Sequence, residues 1–252
     1  MLPNAIKLLQ YLNSPRTLER LDLVLTTDVI GELDFGGPFL RGFHAQRATI
    51  RWVDVELRYC SVVVRGFTSL DNTTEPFSNI EIFQGHHSQQ VAGVMLWQKL
   101  NVHAVCSAAL PLESVEKLSI RGKGQYKPGW SGDLIKLFEV LSHTLGEIEV
   151  FGDRISSGIM EALTLLPTSA TRGSGANLPR SQLPNLRCLR LVDVDLEGYM
   201  EDAPVPLHRL LKHCVENRRD GGPRPGVGKL NKLEIYNRRS YDGCKFITSL
   251  RL

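Results

Sequence analysis

One short unit recurs along this chain: leucine or a relative, two residues, a second, one residue, and a third. Clear copies are Leu18, Leu21 and Leu23 in TLERLDLV, Val115, Leu118 and Ile120 in SVEKLSIR, and Leu145, Ile148 and Val150 in TLGEIEVF. Two more are Leu186, Leu189 and Leu191 in NLRCLRLV, and Leu230, Leu233 and Ile235 in KLNKLEIY. Looser copies sit at Phe77, Ile80, Ile82 and at Trp97, Leu100, Val102. The last two residues of each triplet alternate with polar ones, the pattern of a strand buried on one face. The first residue turns the chain into that strand.

Between copies the spacing becomes helical. DLIKLFEVLS places Leu134, Ile135, Leu137, Phe138 and Leu141 on one side. PLHRLLKHCVENRRDG does the same with Leu207, Leu210, Leu211, Cys214 and Val215. SSGIMEALTLLP carries Ile159, Met160, Leu163 and Leu166 and stops at Pro167. Like strands alternating with helices predict a parallel sheet covered by helices on one side. Repeats of this kind are leucine-rich-repeat-like. The expected fold is therefore α/β: an irregular leucine-rich-repeat-like solenoid, with a parallel sheet on the concave side and helices on the convex side.

A single domain over residues 1–252 is expected, with three departures from regularity. Residues 41–110 are irregular and strand-rich. TIRWVDVELRY alternates Val53, Val55, Leu57 and Tyr59 against Asp54, Glu56 and Arg58, and CSVVVRG is a second strand beside it. A helix is read at VAGVMLWQKL. Residues 168–182, TSATRGSGANLPRSQ, form a flexible surface loop, and residues 241–252 are a tail. Val194 stands where an asparagine ladder would place its asparagine, so no such ladder is expected. Ile6, Leu9, Tyr11 and Leu12 suit a short amphipathic helix.

No run of apolar residues is long enough for a transmembrane helix, and the N-terminus lacks signal-peptide organisation. An intracellular chain, cytoplasmic or nuclear, is the expectation. The cysteines Cys60, Cys106, Cys188, Cys214 and Cys244 are scattered without a C-x-x-C pair, so reduced thiols are expected and no zinc ribbon. The net charge of +3 conceals a basic end: from Leu207 onward eleven Lys and Arg face four Asp and Glu. That is too diffuse for a nucleic-acid footprint, which wants clustering on one element.

GGPRPGVGKL, residues 221–230, resembles a phosphate loop superficially. The loop motif needs glycine at its first position and a hydroxyl after the lysine. Pro223 and Leu230 occupy those places, and the segment follows a helix and opens a strand, the reverse of the required order. His86 and His87 are adjacent, and His208 and His213 lie off the i, i+4 spacing of paired zinc histidines. RGKGQYKPGW lacks a dinucleotide-binding frame, and no G-x-S-x-G is present. No catalytic residue, cofactor or metal site is assigned, and the chain is read as non-enzymatic.

Candidate functional residues come from stacking the strands at 115, 145, 186 and 230 as neighbours about 4.8 Å apart. Lys117 then sits beside Glu147, while Glu149, Arg190 and Glu234 form a row of alternating sign. Phe151, Val192 and Tyr236 form an apolar row, and Arg121 completes the set. The charges are read first as cross-strand pairs that stabilise the sheet. The aromatic row rimmed by charge suits a protein-binding surface. Its competitor is coverage by the tail YDGCKFITSLRL.

The order of alternating strands, SVEKLSI, GWSGDLIKLFEVL, TLGEIEV, LPNLRCLRLVDVDL, LLKHCVENRR and KLNKLEIY resembles the leucine-rich-repeat part of F-box proteins from mushroom-forming fungi. The resemblance covers about residues 5–240. It implies recognition of an unidentified protein client by the repeats, with an F-box docking the Skp adaptor of a cullin–RING ubiquitin ligase. No F-box-like segment is visible upstream of Leu18, so the resemblance implies the recognition half, and the Skp–cullin machinery only if a longer form carries an F-box. Two alternatives stay open: a truncated solenoid without a partner, and a nucleotide-binding protein using the degenerate 221–230 loop.

Overall fold

The computed structural model describes residues 21–27, 49–58, 61–71, 73–84, 102–122, 130–141, 143–164, 183–194, 196, 206–219, 229–237 and 245–251. Nine strands and four helices lie among them, in the order β1 Leu21–Thr27, β2 Trp52–Leu57, β3 Ser61–Phe67, β4 Ser78–Gln84, α1 Val102–Ala109, β5 Lys117–Gly122, α2 Trp130–Leu141, β6 Glu147–Phe151, α3 Asp153–Thr164, β7 Cys188–Val192, α4 Leu207–Arg219, β8 Lys232–Asn237 and β9 Lys245–Arg251. The strands make one open sheet in the order β1-β4-β3-β2-β5-β6-β7-β8-β9. β2, β5, β6, β7 and β8 run parallel, β3 is antiparallel to both its neighbours, β1 runs parallel to β4, and β9 is antiparallel to β8.

The register follows from one repeated residue. Ile50, Val115, Leu145, Leu186 and Leu230 each precede a strand by two positions, and each is at most 1% exposed. After the first four of these residues, the carbonyl before the strand accepts two N–H groups from the entry to the next parallel strand. Arg51 O accepts from Glu116 N (2.7 Å) and Lys117 N (3.0 Å), and Glu116 O from Gly146 N (2.8 Å) and Glu147 N (3.0 Å). Gly146 O accepts from Arg187 N (2.9 Å) and Cys188 N (3.0 Å), and Arg187 O from Asn231 N (2.8 Å) and Lys232 N (3.0 Å). A buried aliphatic side chain and a shared carbonyl thus recur five and four times at equivalent places. The first member of this series, Ile50, Val53 and Val55, has the same spacing as the copies found by leucine.

Alternation does the rest. Leu118, Ile120, Ile148, Val150, Leu189, Leu191, Leu233 and Ile235 enter a core with Leu134, Leu137, Phe138 and Leu141 of α2, Ile155, Ile159, Met160 and Leu163 of α3, and Leu207, Leu211 and Cys214 of α4. The helices pack in chain order, α1 on α2, α2 on α3 and α3 on α4. Between β6 and α3 only Gly152 intervenes, at φ +100°, where a Cβ would also meet Gly122 O at 3.3 Å. Only a residue without a Cβ makes that turn cheaply.

Three expectations change. The copy at Trp97, Leu100 and Val102 does not end in a strand, because Val102 opens α1. There Val102, Val105 and Cys106 share the buried side at helical spacing. In β1 the residues opposite Ile80 and Ile82 are Leu23 and Leu25, two positions on from the triplet Leu18, Leu21, Leu23. The tail does not stand apart: residues 245–251 are strand β9 at the sheet edge. The N-terminal helix at 6–12, the helix at 91–100, His86 and His87, the loop 168–182 and residues 220–228 lie outside the described residues.

Leu145→Ala removes a side chain with no exposure and is expected to lower the unfolding free energy by about 2–5 kcal/mol. Val140→Ala, at a residue 43% exposed, is expected to change it by less than about 0.5 kcal/mol. Gly152→Ala is expected to cost about 1–2 kcal/mol through its left-handed backbone. Urea unfolding curves check all three.

Candidate functional site

The sheet face opposite the helices carries the residues that alternate with the core. Its register makes three cross-strand rows. Nearest the strand starts, Trp52, Lys117, Glu147, Cys188 and Lys232 lie side by side. The middle row is Arg65, Asp54, Ser119, Glu149, Arg190 and Glu234, and the third is Val63, Glu56, Arg121, Phe151, Val192 and Tyr236. Lys117 is thus opposite Glu147, Glu149 beside Arg190 and Glu234, and Phe151 beside Val192 and Tyr236, in the register that strand stacking predicts.

Twelve charged residues of this face are joined into two clusters. In the first, Arg65 Nη1 donates to Asp54 Oδ2 (2.8 Å), Arg65 Nη2 to Glu56 Oε2 (2.8 Å), and Arg121 Nε to Asp54 Oδ1 (3.0 Å). Arg58 donates to Glu56 Oε1 (2.8 Å) and to Glu81 Oε1 (2.9 Å). In the second, Arg190 Nε donates to Glu234 Oε2 (2.7 Å) and Arg190 Nη1 to Glu149 Oε1 (3.0 Å). Lys117 Nζ is 3.3 Å from Glu147 Oε1 and 3.5 Å from Glu149 Oε2, and Lys232 Nζ is 2.7 Å from Glu234 Oε1. Each cluster balances three carboxylates against three cations among the described residues.

A neutral pair of side chains adjoins the second cluster. Trp52 Nε1 donates to Ser119 Oγ (3.0 Å), and Ser119 Oγ donates to Glu149 Oε2 (3.1 Å). The indole stacks on Phe67 with centroids 4.1 Å apart, and Lys117 Nζ lies 4.7 Å from the Trp52 ring centroid. Lys117 and Trp52 are accordingly buried, at 5% and 6% exposure.

Carboxylates in this setting stay charged. Burial alone would raise the Glu149 carboxyl, but the Arg190 hydrogen bond and the charges of Lys117 and Arg190 outweigh it and leave it below the ordinary range. Glu234 behaves alike: burial opposes ionisation, and the hydrogen bonds from Lys232 and Arg190 prevail. Glu56 is held at about 2, chiefly by its hydrogen bond from Arg58, with Arg65 adding to it against burial. The Cys188 thiol is pushed up to about 11, first by burial and then by the Glu147 charge, so it stays protonated and unreactive near neutrality. Among the described residues no group of three or more His, Cys, Asp or Glu is arranged to hold a metal ion, and no helix is long and apolar enough to cross a membrane.

The third row differs from the other two. Phe151 and Tyr236 remain partly exposed, whereas Val192, at 9% exposure, is buried on this face. The Arg121 guanidinium lies over the Phe151 ring, 4.5 Å from its centroid. The described part of the tail pairs with β8 at the sheet edge, Phe246 opposite Tyr236. In the phosphate-loop resemblance, Leu230 is fully buried and its N–H donates to Arg218 O (3.1 Å), so that position serves the core.

Sequence reasoning missed Trp52, Asp54, Arg65 and Ser119 as members of this face. WVDVEL had been read as a strand with Asp54 and Glu56 on its wet side. What the letters did not carry was that β2 pairs with β5 across an interval containing β3, β4 and α1.

Arg190→Met leaves Glu149 and Glu234 without their shared partner. The expected loss is about 2–4 kcal/mol, less than for a fully buried pair because the guanidinium keeps some solvent contact; adding Glu149→Gln should recover part of it. The folded-state pKa values of Glu56, Glu149 and Glu234 are all depressed. Their contribution to stability is therefore full above the unfolded carboxyl pKa and lost as pH falls through the folded values. Urea midpoints should hold from pH 7 to about pH 5 and then fall toward about pH 2, with a shallower fall in Glu56→Gln.

Comparison with protein-family models, with curated proteins and with solved structures finds no match to this chain.

Proposed function

We propose that this chain is a non-enzymatic protein–protein recognition module. In this reading it is a leucine-rich-repeat-like solenoid, and the polar sheet face is the concave side that meets a partner. The observation that carries the reading is the contrast within that face. The charges of the face are mutually paired, and among them the apolar Phe151 and Tyr236 stay partly exposed, with the Asp54-bound guanidinium of Arg121 over the Phe151 ring. Aromatic and arginine side chains on a rigid support, rimmed by polar groups, are the composition of interface anchors. The equivalent strand-entry residues and shared carbonyls from Ile50 to Asn231 support repetition of one structural unit.

The resemblance to fungal F-box proteins makes the client-binding part of a ubiquitin-ligase adaptor the proposed setting. Its partner is then a protein client, and Skp and cullin join only through a longer form. The test is affinity capture with mass spectrometry from fungal lysate, comparing the wild type with a Phe151→Asp, Tyr236→Asp double variant whose folding is verified by its urea midpoint. A discrete set of proteins captured by the wild type and lost in the variant is the expected result. The same background from both overturns it and favours a partial solenoid without a partner.

A further inference from the structure

The arginines of the polar face are not used alike. Arg65 commits both Nη groups to Asp54 and Glu56, and Arg190 commits Nε and Nη1 to Glu234 and Glu149. Arg121 donates through Nε alone, to Asp54 Oδ1, and neither of its Nη groups donates to any of the described residues. Its side chain is 40% exposed, against 23% for Arg65 and 22% for Arg190.

This guanidinium is also held in place. Asp54, itself only 3% exposed, fixes the Nε edge, and the Phe151 ring supports the plane. A guanidinium oriented in advance loses little freedom when it accepts a ligand, and its free edge matches two oxygens of a carboxylate. We propose that Arg121 is the docking point for a side-chain carboxylate of an acidic, extended segment of the partner, whose next apolar side chain settles on Tyr236. The proposal rests on the reading of this face as a recognition surface and supplies the chemistry of its ligand.

Charge decides between an acidic peptide and a phosphate chain. Arg121 is itself one of the three cations that balance three carboxylates in the first cluster, and the second cluster balances three against three among the described residues. The open Nη edge of one guanidinium accommodates one carboxylate, whereas a polyphosphate backbone would also meet Glu56, Glu149 and Glu234 and be repelled. Spacing sets the pattern: Arg121 on β5 and Tyr236 on β8 are three strand intervals apart, about 14 Å, a distance that roughly four residues of extended chain cover.

The probe is an array of acetylated peptides carrying Glu four residues before Phe, Leu or Tyr in polar surroundings, each paired with its Gln twin and read by fluorescence polarisation. Glu members should bind roughly tenfold more tightly than their twins to the wild type. In Arg121→Gln the preference should shrink below about twofold. Asp54 keeps Arg65 in that variant, so the fold should survive, as an unchanged urea midpoint would show. Arg121→Lys should keep part of the preference, because charge remains without the planar edge. Equal binding of the twins by the wild type, absence of binding by both, or a preference that survives Arg121→Gln overturns the proposal. Tighter binding of a phosphoserine series or of single-stranded RNA overturns it too. If clients are lost in the aromatic double variant while Arg121→Gln changes nothing, the face binds proteins but not through a carboxylate. If clients survive the aromatic double variant, the underlying reading fails instead.

Discussion

The rest of this structure depends on a side chain and a carbonyl that sit between each helix-side segment and its strand. The aliphatic residue, Ile50, Val115, Leu145, Leu186 or Leu230, is withdrawn from water, and after each of the first four the next carbonyl accepts two N–H groups from the entry to the following parallel strand. A strand entering from such a fixed point cannot slip by one residue without turning its apolar side outward. Register is therefore decided before the strand begins. The same alternation that sends Leu118, Ile148, Leu189 and Leu233 to the helices sends Lys117, Glu147, Cys188 and Lys232 to the other face.

On that face, five parallel strands bring like positions together, and like positions could have carried like charges. They do not. Asp54 lies between Arg65 and Arg121, and Arg190 lies between Glu149 and Glu234. Each buried carboxylate has its cation within hydrogen-bond or ion-pair reach, which is the condition under which burial of charge is tolerable. The network thus accompanies parallel stacking, and Arg121, Phe151 and Tyr236 stay partly exposed at its side.

The parallel half of the molecule was legible because its period is written in large aliphatic residues at one spacing, and helices α2, α3 and α4 followed from one-sided apolar sets. Lys117 beside Glu147 and Glu149 beside Arg190 needed only the assumption that successive copies are neighbours. That assumption failed to reach β2. Its neighbour β5 lies about sixty residues on, and the hairpin-like β3 and β4 pair antiparallel on its other side. Its entry residue, Ile50, with Val53 and Val55, fits the same spacing, but the alternation of TIRWVDVELRY reads equally as an isolated strand. α1 was misread for a related reason: Val102 satisfies a three-point strand template, and only the continuation through Val105 and Cys106 reveals helical spacing. Val192 was placed correctly in its row, but its burial depended on the bulk around it, which periodicity does not encode.

Ser119 has a consequence for how disturbance travels across this surface. Because an indole N–H can only donate, the serine oxygen must receive it and point its own hydrogen at Glu149. The serine hydroxyl is therefore a one-way relay from the Trp52 indole to the second charge cluster. Each cluster is neutral by itself, so an added or removed charge in one is felt only weakly in the other. Each cluster therefore holds its own strands, the first tying β2 to β3, β4 and β5 and the second tying β5 to β6, β7 and β8.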